Sequence, residues 1–521
     1  VRQQRSLPSA PALAYLDWVA ATASTRAEKA AIIEAGTVTT YRCLMEEAGQ
    51  AAHELRSRGV RPGEPIGIAM EPATGYVGVF LAIMMAGGVA APLNTRLKPA
   101  ELSAYAERLG LTRVVTDRVH ESLIGSTGLA PIAVPGRQAG TSLAAQLSAV
   151  LGSESLVPTV TEGEPAVIFP TGGTTGLPKG AFTDHRGLAT WAWNVALSGR
   201  RTSEEIELYF SPCFHVTFVV GILTPLFMGN TIVIQPRFDP DAAIDAIREF
   251  GVNRLMGAPT MFKALLDRAD DREISLGGVS NVLFGSAAAR GGLIDRMIRG
   301  FPNAALMTGL GATEFASSVS RIEPDELRAG KVDGVGRILP GARLKILDAD
   351  GREVPPGVVG EVAVRSPWQT LGYWNQDEQT AATYDADGFV RLGDLGRVDG
   401  EGWLTLVGRS KDMILSGGEN IFPAEVEAAV SQMAGVDEVI VFGIADEYWG
   451  ERVEAAVTVK PGCVILAEDI RAYSRRALAD YKVPKRVHIV KTLPLTPNNK
   501  PDRRALAQLI AAADIEDAVA D

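Results

Sequence analysis

Twelve consecutive residues, Phe169-Pro-Thr-Gly-Gly-Thr-Thr-Gly-Leu-Pro-Lys-Gly180, hold four glycines, three threonines and one lysine. That composition suits phosphate. Glycines let successive backbone N–H groups turn inward as an anion nest, and the threonine hydroxyls add donors. Lys179 contributes a mobile positive charge. It is not a Walker A loop, because Pro178 precedes the lysine and Gly180 stands where a Ser or Thr would take magnesium. Composition alone leaves open a flexible Gly/Thr surface turn. The apolar Ala166-Val-Ile-Phe169 before it reads as a buried strand, so the loop leaves the end of a sheet.

Other reactive side chains are scattered along the chain. His215, in Ser211-Pro-Cys-Phe-His-Val-Thr-Phe218, is one of five histidines; beside apolar neighbours it reads first as a satisfied histidine. Arg96, after Pro92-Leu-Asn-Thr, reads as a surface charge near a strand end. Small residues at 285–289, including Ser286, Ala287 and Ala288, would let a flat ring approach the backbone. Glu314 closes Met307-Thr-Gly-Leu-Gly-Ala-Thr-Glu314. Asp394, after Gly393, reads by itself as a turn residue. Lys482, Lys485 and Arg486 form a local basic patch, with a solvated charge cluster as the alternative.

In their order these segments resemble the adenylate-forming superfamily: acyl-CoA synthetases, peptide-synthetase adenylation domains and luciferase-type enzymes. The resemblance covers roughly residues 30–510 and lies nearest the acyl- or aryl-CoA ligases. It implies that Thr171, Gly172, Gly173, Thr174, Thr175, Gly176 and Lys179 hold the outer phosphates of ATP. It places adenine and part of an acyl pocket against Ser286, Ala287, Ala288, Gly309, Leu310 and Gly311. Thr313 would contact the α-phosphate and Glu314 would hold Mg2+. Asp394 would accept both ribose hydroxyls, with Arg409 completing the ribose site. Arg96 would contact a phosphate of coenzyme A, as would Lys482 and Lys485. Gly417, Gly418 and Trp449 would line the pantetheine channel. His215 falls in an acyl-tunnel stretch and is carried as a candidate catalytic residue. Leu493-Pro-Leu-Thr-Pro-Asn-Asn-Lys-Pro-Asp-Arg503 brings Lys500 to the place of the catalytic lysine, and Gly408-Arg-Ser-Lys-Asp-Met-Ile414 brings Lys411 to the family's hinge. Four positions depart from the pattern: Leu310 replaces an adenine-stacking aromatic, Gly172 a hydroxyl residue, Leu392 a threonine, and Asn499 a glycine.

The elements that must position these groups follow from periodicity. Ala30–Ile33 and Ile66–Met70 read as strands, and Leu44–Arg58 and Ala100–Leu109 as helices. Such alternation predicts an α/β sandwich with a mainly parallel sheet. Pro72–Thr95 carries no charge and is long enough to suggest a membrane span. Its glycines and Pro92 favour a buried helix over Tyr76–Ala86 followed by a short strand, and Val216–Ile234 is read the same way. No membrane span is therefore expected. From Gly125 to Glu164 the pattern dissolves into a variable surface region. Beyond the hinge, Pro423–Met433 and Ala467–Ala479 read as helices, and Val436–Ile444, Arg452–Val459 and Arg486–Val490 as strands. The expected division is a large N-terminal domain over residues 1–409 and a small, mobile α+β domain over 410–521.

A formal net charge of −11 disfavours a nucleic-acid partner but not anionic small substrates. The three cysteines, Cys43, Cys213 and Cys463, are far apart, without metal spacing, and fit a reducing, cytoplasmic location. No apolar segment follows Val1-Arg-Gln-Gln-Arg5, so no signal peptide is expected; Val1 is read as an alternative start or a trimmed end. A homodimer is left open. The resemblance implies ATP-dependent activation of a small-molecule carboxylic acid as acyl-AMP and its transfer to coenzyme A. The alternatives are a thioesterifying partner using an adenylate made elsewhere, a stand-alone adenylation enzyme and a luciferase-like oxidase. A free amino acid is disfavoured, because His215 follows Phe214 where amino-acid-activating relatives carry an aspartate. Small and apolar pocket segments (His215–Val219, Met256-Gly257, Gly285–Ala287 and Gly309) favour a bulky hydrophobic acid.

Overall fold

The computed structural model describes residues 14–133, 160–171, 177–285, 289, 292–316, 318–494 and 502–510. The larger, N-terminal domain is built around two seven-stranded sheets. One runs in the order Ala305–Met307, Asn281–Phe284, Arg254–Gly257, Ile206–Tyr209, Thr231–Ile234, Ala30–Glu34, Thr37–Thr40, and only the last pair is antiparallel. The other runs Gly372–Tyr373, Lys179–Asp184, Pro165–Thr171, Val89–Pro92, Pro65–Ala69, Arg113–Thr116, Ala130–Ala133. Its first two pairs are antiparallel and the rest parallel.

Parallel strands covered on both faces need continuous apolar runs, and Ile32-Ile33 beside Ile232-Val233 meets that need. The main core lies between the two sheets and takes in the helices Tyr15–Thr25, Tyr41–Ser57, Thr74–Met85 and His185–Ser198. This location explains the uncharged stretch. The helix Thr74–Met85 is buried at every position except Gly75, because helices and sheets surround it. No helix among the described residues is long and apolar enough to cross a membrane. The outer faces are covered by Pro240–Phe250, Pro259–Asp271 and Leu293–Gly300 on one side and by Pro99–Leu109 on the other.

The third sheet, formed by a later part of the chain than the strand–helix alternation that predicts parallel pairing, is built differently. Its six strands, in the order Ser320–Arg321, Gly336–Ile338, Trp403–Arg409, Val390–Val398, Gly360–Arg365, Arg343–Leu347, are antiparallel throughout. The reason is local and repeated. In Asp348–Gly351, Asp385–Gly388 and Asp399–Gly402 the leading aspartate accepts backbone N–H bonds from residues two and four positions on. Each closing glycine takes φ +79°, which a side chain would resist. The strand Ala130–Ala133 also adds an edge where only variable surface was expected.

The small C-terminal domain carries its own sheet. Glu419–Ile421, Ile414–Ser416, Gly450–Val459 and Val436–Asp446 are antiparallel, and Arg486–Ile489 joins parallel to Gly450–Val459. One core holds Ile414, Val426, Val441, Val457 and Ile470. Across the sheet, Ile440, Phe442 and Ala456 meet Leu506 of the helix at 503–510.

Candidate active site

The antiparallel pair Pro165–Thr171 and Lys179–Asp184 frames the glycine- and threonine-rich stretch, with Thr171 opposite Lys179 and Pro170 opposite Gly180. A Cβ on Gly180 would lie 2.6 Å from Leu109 and 2.7 Å from Ile168, so a larger residue here would have to displace both side chains. The Arg108 guanidinium donates to the Leu177 and Pro178 carbonyls, both at 3.1 Å. The loop's exit is therefore tied to the helix Pro99–Leu109. Gly172, Gly173, Thr174, Thr175 and Gly176 lie outside the described residues, as do Ser286, Ala287, Ala288, Asn499 and Lys500.

Lys179 does not stand alone. Its ammonium is 4.3 Å from the centre of the Tyr373 ring, a cation–π distance. The Tyr373 hydroxyl donates to Glu314 Oε1 at 2.7 Å, and the Glu314 carbonyl accepts the Thr370 N–H at 2.7 Å. Burial lowers the Lys179 pKa; Glu314 opposes that shift and Lys411 adds to it. Lys411 therefore stands close enough to act on Lys179. Burial, then the charge on Glu314, pushes the Tyr373 hydroxyl far up, so it remains a donor. Lysine, tyrosine and carboxylate thus converge where the loop leaves the sheet. The sequence reading missed Tyr373 and Arg108. Gly372-Tyr-Trp-Asn375 carried a signal, since Gly372 and Asn375 both take positive φ, +140° and +54°, as a turn aiming a side chain inward would require.

Thr313 and Glu314 share the 3-10 turn Thr313–Phe315. A Cβ on Gly309 would fall 2.1 Å from the Ser320 carbonyl, so that glycine serves backbone packing. Leu310 donates its N–H to Ser320 Oγ at 3.0 Å, and its side chain, 8% exposed, belongs to the main core. Gly311 is exposed. At Gly285 no described residue lies within 4 Å of where a Cβ would be. Asp394 and Arg409 face each other across adjacent strands and form an ion pair at 2.8 Å.

Arg96 is exposed, with its guanidinium 5.9 Å from the Phe214 ring, so it borders the His215 segment. His215 is half-buried, its Nδ1 3.3 Å from Thr217 Oγ1. In the C-terminal domain Gly417 has φ +59° and donates its N–H to the Trp449 carbonyl at 2.7 Å. The Trp449 ring closes over it, its nearest atom 3.0 Å from where a Cβ would sit. Among the described residues none lies within 4 Å of where a Cβ on Gly418 would sit. Lys485 stands 4.9 Å from the Trp449 ring, whereas Lys482 is held by Glu425 at 2.6 Å.

Magnesium is an oxygen-seeking ion that proteins bind through one or two carboxylates together with substrate phosphates. The Glu314 carboxylate, with the Thr313 hydroxyl beside it, supplies oxygen atoms that fit such use. No three His, Cys, Asp or Glu side chains converge as a metal site among the described residues.

Residues 19–374 match the family model for the AMP-binding enzyme, and residues 425–500 match that for the AMP-binding enzyme C-terminal domain. A feruloyl-CoA synthase from Amycolatopsis sp. is 32% identical over 474 residues, covering 90% of this chain and 94% of that one. Among solved structures, ATP-bound MatB from Rhodopseudomonas palustris superposes with a TM-score of 0.86 at 27% identity, over 96% of this chain and 99% of that one. The apo form of the same protein gives 0.77 over the same shares. The o-succinylbenzoate CoA synthetase of Bacillus subtilis, in complex with its acyl-adenylate intermediate, gives 0.84 at 25% identity, over 94% of this chain and 97% of that one.

Proposed function

The chain belongs to the AMP-binding enzymes, a family of AMP-forming acid–thiol ligases, and from that premise we propose that it activates a bulky hydrophobic carboxylic acid with ATP and transfers the acyl group to coenzyme A. In the first step the acid's carboxylate attacks the α-phosphorus and pyrophosphate leaves. In the second, the thiol attacks the acyl carbon and AMP leaves. The observation that carries the reading is the meeting of Lys179, Tyr373 and Glu314 at the mouth of the phosphate loop.

Charge grows on the α-phosphate during the first step, so cations and donors fixed there lower its barrier. Lys500 and Thr313 take that task, and Lys179 with Thr171 and the loop holds the outer phosphates. Glu314 would hold Mg2+, which when bound offsets phosphate charge. Tyr373 fixes the Glu314 carboxylate in place by its hydrogen bond. Asp394 and Arg409 hold the ribose through both steps. His215, Met256 and Gly257 border the acyl group, and Gly285 borders the adenine ring.

Lys500 and the thiol need the same space at different times. The small domain, over 410–521, therefore rotates about Lys411, exchanging Lys500 for Gly417, Gly418 and Trp449, with Arg96 and Lys485 near the phosphates of coenzyme A. Lys482 contributes less, being occupied by Glu425. The greater similarity to ATP-bound than to apo MatB supports the adenylating arrangement for the pose described.

Burial of the Leu310 side chain in the core favours a second reading, in which ATP binds weakly and the enzyme thioesterifies an adenylate made elsewhere. One experiment separates the two. The protein is given ATP, Mg2+ and a panel of carboxylic acids with pyrophosphate release as readout, then synthetic acyl-adenylate with coenzyme A. Pyrophosphate release with hydrophobic acids supports the ligase. Thioester only from supplied adenylate supports the second reading, and preference for short polar acids overturns the substrate class.

A further inference from the structure

Behind Trp449 lies a hydrogen-bonded line of charges that the reaction as described does not use. The turn bearing Tyr448 and Trp449 closes on Asp446, whose Oδ1 accepts both their N–H groups, at 3.0 and 2.9 Å. The other oxygen of Asp446 accepts from Arg452 Nη1 at 3.2 Å. Arg452 Nε donates at 2.6 Å to Oε1 of Glu454, whose side chain is wholly buried. Glu454 Oε2 lies 2.7 Å from His488 Nε2. Burial alone would raise the Glu454 pKa, but His488 and Arg452 hold it below its usual value. An ionised carboxylate only accepts, so His488 Nε2 is the donor.

All four side chains stand on one face of the sheet. Asp446 ends one strand, Arg452 and Glu454 are two apart on the next, and His488 comes from the parallel strand Arg486–Ile489. The His488 ring stacks on Phe442 with centroids 6.4 Å apart. The line thus starts at a ring fixed by stacking and ends on the backbone of Trp449. A buried carboxylate held by two donors resists displacement, because losing either leaves charge uncompensated. By contrast the Tyr448 side chain is 83% exposed and Trp449 is 37% exposed. Without such support their turn would sample many orientations.

We propose that His488, Glu454, Arg452 and Asp446 are positioning residues that hold Trp449 in one orientation toward the thiol-bearing arm of the acceptor, and so set the KM for the thiol without taking part in adenylation. The proposal rests on the reading of Trp449 as part of the thiol channel.

The test uses the full chain and measures the two half-reactions separately. His488→Ala is expected to raise the KM for coenzyme A about tenfold when acyl-adenylate is supplied, while pyrophosphate release from ATP stays within about twofold. His488→Gln, which keeps a donor, should recover most of the difference. Asp446→Asn keeps the acceptor for the turn but cuts the link to Arg452; it should raise the same KM, and it serves if the histidine variant does not fold. Equal losses in both half-reactions, or an unchanged KM in His488→Ala and Asp446→Asn, would overturn the proposal. Trp449→Ala separates the two levels. If it leaves the KM for coenzyme A unchanged, the channel reading itself fails; if it raises that KM while the other variants do not, only the positioning role fails.

Discussion

Replacing Tyr373 by phenylalanine removes one hydroxyl and little else. The ring under Lys179, 4.3 Å from its ammonium, stays. What is lost is the 2.7 Å hydrogen bond to Glu314. A hydrogen bond to a charged group is worth about 1.5–3 kcal/mol. Tyr373 is 4% exposed, so water reaches its end of the bond poorly, but Glu314 is only half-buried and regains some solvation. A net loss of about 1–2 kcal/mol is expected, or about 5- to 30-fold in the rate of adenylation at 1.36 kcal/mol per factor of ten. Conversion of supplied acyl-adenylate to thioester involves no triphosphate and should change little. Stopped-flow pyrophosphate release gives the first rate, and thioester formation from synthetic adenylate gives the second. A Mg2+ titration of ATP binding by calorimetry should show weaker coupling in the variant. Unchanged pyrophosphate release, or equal loss in both half-reactions, would refute the assignment of Tyr373 as the support of Glu314.

Lys500→Ala should abolish most adenylation while leaving thioester formation from supplied adenylate; equal loss in the two would make Lys500 structural. Lys411→Pro fixes φ and removes a donor in the turn Ser410–Asp412, so one half-reaction should survive while overall turnover collapses, and unchanged turnover would put the hinge elsewhere. His185 is 1% exposed, and burial lowers its pKa from 6.5 to about 4. The folded state therefore resists a proton that the unfolded chain accepts. Its contribution is intact above pH 6.5 and is lost as pH falls toward 4, reaching about 3 kcal/mol. Urea unfolding between pH 7 and 4.5 should accordingly show a flatter pH dependence for His185→Gln than for the parent protein.

Much of this protein was legible in its sequence because the deciding forces are local. Periodicity found the helix Thr74–Met85 and the strand Val89–Pro92 inside an uncharged run, since glycine and proline punctuate a chain wherever it folds. The order of motifs identified the family, and the glycine-rich loop marked the end of the strand Pro165–Thr171. The antiparallel sheet between Ser320 and Arg409 was legible in principle, through its repeated Asp-and-Gly turns, but apolar patterning does not state which strands pair. Tertiary structure alone decided the contacts between distant residues. Tyr373 reaches Glu314 across 59 positions, and His488 reaches Glu454 across 34. No spacing rule links such pairs, because they become neighbours only when strands from separate parts of the chain are laid side by side. The same packing buries the Leu310 side chain in the core and pairs Lys482 with Glu425. Sequence supplied the reactive groups; burial and strand order determined which of them face one another.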